Sequence, residues 1–530
     1  MPTDCISYKN SGYFSPLMKN YLEEKLNLQP LYNHFPKLEN FGKQILEKQA
    51  NFDDASRATL VSVIEKQYAS IATSHLTKQN IEALKVNNTF TVTTGHQLNL
   101  FSGPLYFLYK IISTINLTEE LKTKYPAYNF VPIYWMATED HDFEEINYFN
   151  FKGKKFRWNK ESTGPVGRLS TDGLESFFEI YEQELGTSTN ATTLKKLFTE
   201  AYLQHDNLAN ATRHLANALF GTYGLVILDA DDKDLKRTFI PYVKEELLHQ
   251  KSHKLVLETA EKLKNYTVQV NPREINLFYI EDKLRERIVF EGEKYKVNNT
   301  KIEFTADQIL KLLNSNPEMF SPNVIMRPLF QEVILPNLCY IGGGGEIAYW
   351  LELKSFFDTV NITFPILLLR NSVLLTTEKQ LKKADKLDLT WSDLFSKQNN
   401  LIDKVTQKAS SFPIDLTVQK EQLQKQFTNL FELAKQTDKS FVGAVKAQEV
   451  KQIKGLENLE KRLLKAQKRK YSELIERAID LQNELFPNKS LQERQVNFSQ
   501  FYLEAGTDLI PTLKQQLKPL QSNFVITILP

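Results

Sequence analysis

Four strand-length apolar runs in this chain each stop at a turn crowded with glycine, histidine or carboxylates. They are "TFTVTTGH" (89–96), "FVPIYWMATEDHD" (130–142), "YGLVILDADD" (223–232) and "NLCYIGGGG" (337–345). Runs without strict alternation suit strands buried on both faces, the condition of a parallel sheet. Between the first two lies the helical pattern "LYFLYKIISTINLTEELKTKY", so strand, helix and strand follow in the order of a βαβ unit. "FPILLLRNSVLL" (364–375) reads as a further buried strand of the same sheet. Ligands of such folds bind at the carboxyl ends of the strands, where these turns fall.

Around this core the pattern changes. Residues 1–85 read as helices joined by proline-containing turns, and about 150–220 and 270–315 as insertions, the second rich in short strands. Past residue 376, Lys, Gln, Glu and Leu dominate and glycine nearly vanishes. Leu423, Phe427, Leu430 and Ala434 recur at a/d spacing, as do Tyr471, Leu474, Ala478, Leu481 and Leu485. The break at "KQTDKSFVG" turns one helix back on another. The predicted fold class is therefore α/β. A Rossmann-like parallel-sheet core with inserted connecting segments occupies 1–377, an antiparallel α-helical coiled-coil domain 378–490, and a segment ending in the strand "NFVITILP" returns to the core over 491–530.

The turns hold the candidate chemistry. Thr93-Thr94-Gly95-His96 ends a strand ahead of a helix, where free N–H groups and the helix dipole attract anions and a histidine can donate to phosphate. The alternative is a strand-exit turn with a solvated histidine. Glu139, Asp140, His141 and Asp142 crowd one strand end, where carboxylates raise one another's pKa, serve as a general base or hold an ammonium group. Oxygen ligands there also suit Mg²⁺. Glu144 and Glu145 are explained by a helix dipole. Gly342 to Gly345, followed by Glu346, leave the backbone bare before a helix, either for a ligand or as a flexible loop. In "LDADD" a helix cap is the stronger reading. Arg327 and Arg370 suit carboxylate or phosphate recognition, or a structural ion pair.

Composition removes other classes. A net charge of +2 offers no bulk attraction to nucleic acid. Two cysteines, Cys5 and Cys339, cannot build a disulfide framework, and no CxxC pair is available for zinc. Neither a signal peptide nor a membrane span is read, so a cytoplasmic enzyme without a membrane partner is expected.

The strings "TGHQLNLFSGPLYFLYKI", "PIYWMATEDHDFEEI", "LDADD", "IGGGGEIAYWLELK", "FPILLLRNS" and "LFPNKSLQER" together resemble the cysteine-adding ligase family of bacillithiol biosynthesis. The resemblance implies a Rossmann-type core, a coiled-coil arm and homodimers joined through that arm. It implies amide formation between L-cysteine and the amine of glucosaminyl-malate, with ATP or another activating cosubstrate. In that reading Thr94, Gly95 and His96, with Gln97, meet phosphates, and Glu139, Asp140, His141 and Asp142 hold or deprotonate the amine. Gly343, Gly344 and Glu346 line the nucleotide or cysteine pocket, and Arg327 or Arg370, with Asn371, reads the malate carboxylates. No KMSKS-like lysine loop and no zinc-ligand set is found. Two other readings stay open, a nucleotidyltransferase of the HxGH type with another acceptor and a coiled-coil scaffold with a non-catalytic core.

Overall fold

The computed structural model describes residues 4–529; residues 1–3 and 530, at the outer ends of the expected core segments, lie outside it. Five parallel strands form the central sheet: β1 (Thr89–His96), β2 (Asn129–Met136), β3 (Val226–Asp229), β4 (Asn337–Gly342) and β5 (Ile366–Leu369). Their spatial order is β5-β4-β1-β2-β3. The chain therefore starts in the middle, builds outward to one edge, and returns to build outward to the other. This is the doubly wound order, with its reversal between β1 and β4. Register aligns the carboxyl ends: His96 pairs with Met136, Met136 with Asp229, and Gly342 with Leu369.

Helix α1 (Tyr106–Lys124) joins β1 to β2, and nearly all of it through Thr118 is buried, as its all-round apolar pattern requires. The loop before it passes through Gly103 at φ 61°, where a Cβ would lie 2.6 Å from that of Asn99, so only glycine fits. Helices α2 (Lys233–His249), α3 (Met326–Ile334) and α4 (Gly344–Leu351) follow; α2 leaves β3, and α3 and α4 flank β4. Phe90, Val92, Leu117, Leu121, Leu338 and Ile366 meet in one core cluster with Phe41 and Ile45 of the helix Phe41–Asn51. Buried threonines on β1 are tolerated because they are paired, Thr91 and Thr93 both donating to the Asn337 side-chain oxygen.

One expectation fails here. "FPILLLRNSVLL" is two strands in two sheets, not one. β5 ends at Leu369, whereas Ser372–Thr377 joins Asn523–Leu529 and Asp4–Ser7 in a separate three-stranded sheet. The break is set by Arg370 and Asn371, whose side chains are drawn to Glu493 and Ser113 and turn the chain out of the parallel ladder. The 277–322 region forms an antiparallel five-stranded sheet that includes Leu277–Glu281 and Leu284–Glu291. A hairpin, Tyr148–Phe151 with Lys154–Arg157, precedes the helices Leu174–Leu185, Thr189–Phe198 and Leu208–Phe220.

The chain divides into two compact units, Met1–Lys9 with Tyr13–Leu375 and Ser490–Pro530, and Asn10–Gly12 with Thr376–Lys489. In the second, α5 (Gln398–Ala409), α6 (Thr417–Ala434), α7 (Lys439–Lys470) and α8 (Ser472–Leu485) carry most of the chain. α6 and α7 form an antiparallel hairpin. Asp438 caps the turn by accepting from Ser440 and Phe441 N–H, and Lys420 meets Glu460 at 2.6 Å. Phe427, Ala434 and Val445 are its buried centre, with Leu423, Phe431 and Val442 against them. Leu430, placed in the seam by heptad counting, is 43% exposed and Phe431 takes its place. The buried face runs Leu423, Phe427, Phe431 and Ala434, since Phe431, one residue on, also reaches the partner helix.

Candidate functional site

The reversal between β1 and β4 opens a crevice above the strand ends, because the two neighbouring strands send their chains in opposite directions. A cavity of about 720 Å³ occupies it. Its walls come from the turns after β1, β2 and β4, from the start of α3, and from the antiparallel insertion, which adds Arg285 and Arg287.

At the reversal stands a group that motif reading missed. Lys110, in the second turn of α1, is buried, and its ammonium lies 2.6 Å from Glu346 Oε2 while donating to the Gly95 carbonyl at 2.6 Å. Glu346 also accepts from Tyr340 Oη at 2.7 Å and from Gly343 N–H at 2.8 Å. Burial alone would raise the Glu346 pKa. The charge and hydrogen bond of Lys110, with those two further donors, hold it below the ordinary value. Burial depresses Lys110, more strongly than Glu346 supports it. The available signal was that Lys110 is the sole charge in "LYFLYKIISTINLT".

The first motif divides. Thr94 does not reach the cavity. It is buried within the sheet, its hydroxyl donating to the Ile341 carbonyl at 2.7 Å and pinning β1 to β4. Gly95 and Gln97 do line the cavity. Gln97 Nε2 donates to Asp140 at 3.1 Å and to Glu145 at 2.9 Å. His96 lines the cavity too, buried, with its ring stacked 5.3 Å from Tyr106. Its Nε2 finds no hydrogen-bond partner among the described residues. Burial, then the positive charges of Lys110 and Arg370, push its pKa well below the ordinary value, so the ring is neutral near pH 7.

The acidic turn does not act as one cluster. Glu139 is ion-paired with Lys236 of α2, which also holds Asp231 at 2.8 Å. Burial raises its pKa against the pull of Lys236. Asp140 is shifted the other way. Burial would raise it, but the Gln97 hydrogen bond, the charge of Arg285 and the His141 N–H hold it ionised. His141 Nδ1 lies 2.7 Å from Arg285 Nη1. A guanidinium only donates, so Nδ1 is the acceptor and the ring proton sits on Nε2. That occupies the nitrogen His141 would need as a base. Asp142 is exposed on the cavity wall, just before the short helix Phe143–Ile146. In "LDADD", Asp232 caps α2 through Asp234 and Leu235 N–H.

The glycine run has two causes. At Gly342 a Cβ would lie 2.9 Å from both Glu346 and Tyr340, so packing demands glycine. Gly343, Gly344 and Gly345 line the cavity, and the first N–H groups of α4 have no intrahelical acceptor. A Cβ at Gly345 would meet only Gln269, at 3.9 Å.

The arginines also separate. Arg370 is paired at 2.7 Å with buried Glu493, and its Nη1 donates to the Asn371 carbonyl. Its charge is therefore already balanced, although the side chain borders the cavity. Asn371 lies elsewhere, tied to Ser113 and the Lys518 carbonyl, so it is not a cavity residue. Arg327 faces the cavity and hydrogen-bonds Tyr349 Oη at 3.3 Å. Arg285, from an insertion strand with no distinguishing motif, had no signal in the sequence. Among the described residues no three His, Cys, Asp or Glu side chains converge as metal ligands.

Residues 1–371 match the family described as "Bacillithiol biosynthesis BshC, N-terminal Rossmann-like domain", and residues 373–529 match its "C-terminal coiled-coil domain". Relatives named "Putative cysteine ligase BshC" align along nearly the whole chain. The one from Flavobacterium johnsoniae is 74% identical, covering 100% of both proteins, and that from Flavobacterium psychrophilum 62%, covering 99% of both. The one from Staphylococcus carnosus is 26% identical over 94% of this chain and 97% of its own.

Proposed function

The chain belongs to the BshC family of bacillithiol biosynthesis, and from that premise we propose that it is an amide-forming ligase joining L-cysteine to the glucosamine amine of glucosaminyl-malate. A carboxylate is a poor acyl donor near neutral pH, so ATP or another cosubstrate must first activate the cysteine carboxylate. The amine lone pair then attacks the acyl carbon. The new C–N bond forms, the activated C–O bond breaks, and the leaving oxygen keeps the electron pair.

The observation that supports this best is the convergence, in one cavity at the sheet's reversal, of an ionised Asp140, the bare start of α4 and the Lys110–Glu346 pair. Phosphate would lie at Gly345, where helix N–H groups and open space favour an anion. Any Mg²⁺ would arrive with those phosphates. Asp140, with Asp142 beside it, would hold the amine and receive its proton. Neutral His96 would position a ligand through Nε2. Leu430, Leu433 and Phe441, 43%, 59% and 49% exposed on the helical hairpin, are consistent with a homodimer formed through that arm. Among the described residues no helix is long and apolar enough to cross a membrane.

Purified protein incubated with cysteine, glucosaminyl-malate and ATP tests the reading by mass spectrometry. Bacillithiol should appear, and Asp140→Asn should lose it. No product with any activating cosubstrate, together with no binding of either substrate, overturns it.

A further inference from the structure

We propose that Arg285 and Arg327 form a carboxylate subsite in the cavity wall and take the malyl end of the acceptor. This names a subsite within the ligase reading and rests on it only for the identity of the acid. Both guanidiniums are held by neutral groups. Arg285 donates from Nε to Ser321 Oγ at 3.1 Å, from Nη1 to His141 Nδ1 at 2.7 Å and from Nη2 to the Pro322 carbonyl at 3.3 Å. Its plane lies 4.0 Å from the Phe278 ring centre. The side-chain hydrogen bond of Arg327 goes to Tyr349 Oη. These contacts fix orientation and leave the charge unbalanced.

Three neighbouring cations are matched, whereas Arg273, Arg287 and Arg494 border the cavity with no ion pair among the described residues. Lys110 has Glu346, Lys236 has Glu139 and Asp231, and Arg370 has Glu493. Among the described residues neither Arg285 nor Arg327 has a carboxylate within the 4.0 Å of an ion pair. Asp140 acts on both from beyond contact, and Glu139 and Asp142 act on Arg285 in the same way. Arg327 in turn disfavours the charge on Arg285. Arg285, withdrawn from water beside the like charge of Arg327, is disfavoured as a cation, and a bound anion relieves that cost.

The geometry favours a carboxylate over a phosphate. A guanidinium fork matches the planar, bidentate carboxylate. In the ligase reading phosphate is placed instead at the start of α4.

Titration calorimetry on the full-length protein tests this with glucosaminyl-malate, L-malate, glucosamine and inorganic phosphate as separate probes, on wild type, Arg285→Gln and Arg327→Gln. Each substitution should weaken glucosaminyl-malate and malate by roughly tenfold or more, and leave glucosamine unchanged. Ligand-free melting of Arg285→Gln should stay level or rise, since a disfavoured cation is removed; a merely structural arginine would lower it. Malate binding unchanged in both variants, absent in wild type, or left intact while phosphate binding is lost overturns the proposal. Wild type that binds malate through these arginines but makes no bacillithiol would instead refute the ligase reading and leave the subsite standing.

Discussion

Lys110 Nζ stands 2.6 Å from Glu346 Oε2 and 2.6 Å from the Gly95 carbonyl oxygen, so one buried ammonium ties the end of β1 to the start of α4 across the sheet's reversal. Glu346→Gln leaves Lys110 buried and uncompensated, which should cost about 3–5 kcal/mol; Lys110→Met should cost less, because Glu346 is partly exposed and still accepts from Tyr340 and Gly343. The double variant should lose clearly less than the sum. Urea unfolding of the four proteins measures the coupling, and additive losses would show that the two side chains do not act as a pair.

His96 should not govern activity near neutral pH. Its folded pKa lies well below the ordinary value, so it carries no proton to lose between pH 6 and 8. His96→Gln should keep the shape of the pH–rate profile while lowering its height. A limb near pH 6.5 in wild type that vanishes in His96→Gln would mean that the ring titrates in function.

Glu493→Gln should act on stability alone. It strips the counter-charge from Arg370, both groups being buried, and should lower stability by about 3–5 kcal/mol. Residual protein should keep the wild-type KM for the acceptor. A KM raised tenfold would return Arg370 to the substrate site.

Glu352 makes stability depend on pH. Burial raises its pKa to about 7, although it accepts a hydrogen bond from Gln269 N–H at 2.8 Å. In the unfolded chain it ionises near its ordinary 4.5. Between those values the folded state holds the extra proton, so this group's contribution falls as pH rises from about 4.5 to 7 and is flat above. Glu352→Gln should flatten that part of the melting-temperature curve and melt higher than wild type at pH 8. A lower melting point at pH 8 would refute the assignment.

Phe427→Ala should loosen the α6–α7 hairpin by about 3–5 kcal/mol, because the ring is buried at its centre. Leu430→Ser with Leu433→Ser should leave helix content unchanged, as both side chains are exposed. If the arm joins two copies, sedimentation should show that pair of substitutions shifting dimer toward monomer. An unchanged dimer would place the contact elsewhere.

Much of the architecture could be read before any coordinates, because its signals are local. Apolar runs such as "FVPIYWM" mark buried strands, and the dense apolar stretch after Pro104 marks a buried helix. The split at Arg370–Asn371 was hidden, since a second sheet can claim half of an apolar run without altering its composition. Leu430 was misplaced for a related reason: its neighbour Phe431 is equally apolar, and only packing against the partner helix decides between them.

The sequence by itself determined which segments become strands and helices, and that polar and glycine-rich turns follow the strands, for these depend on neighbours along the chain. Tertiary structure alone decided the order β5-β4-β1-β2-β3, which brings Gly95 and Gly343 to one cavity. It also decided what each charged group does. Asp140 and Glu139 are adjacent in sequence, yet one is held ionised at the cavity while Lys236 binds the other. Arg370 is neutralised by Glu493, whereas Arg285 and Arg327 are not matched in this way. Charge state depends on burial and on partners remote in the chain, and neither is written in a residue's own neighbourhood.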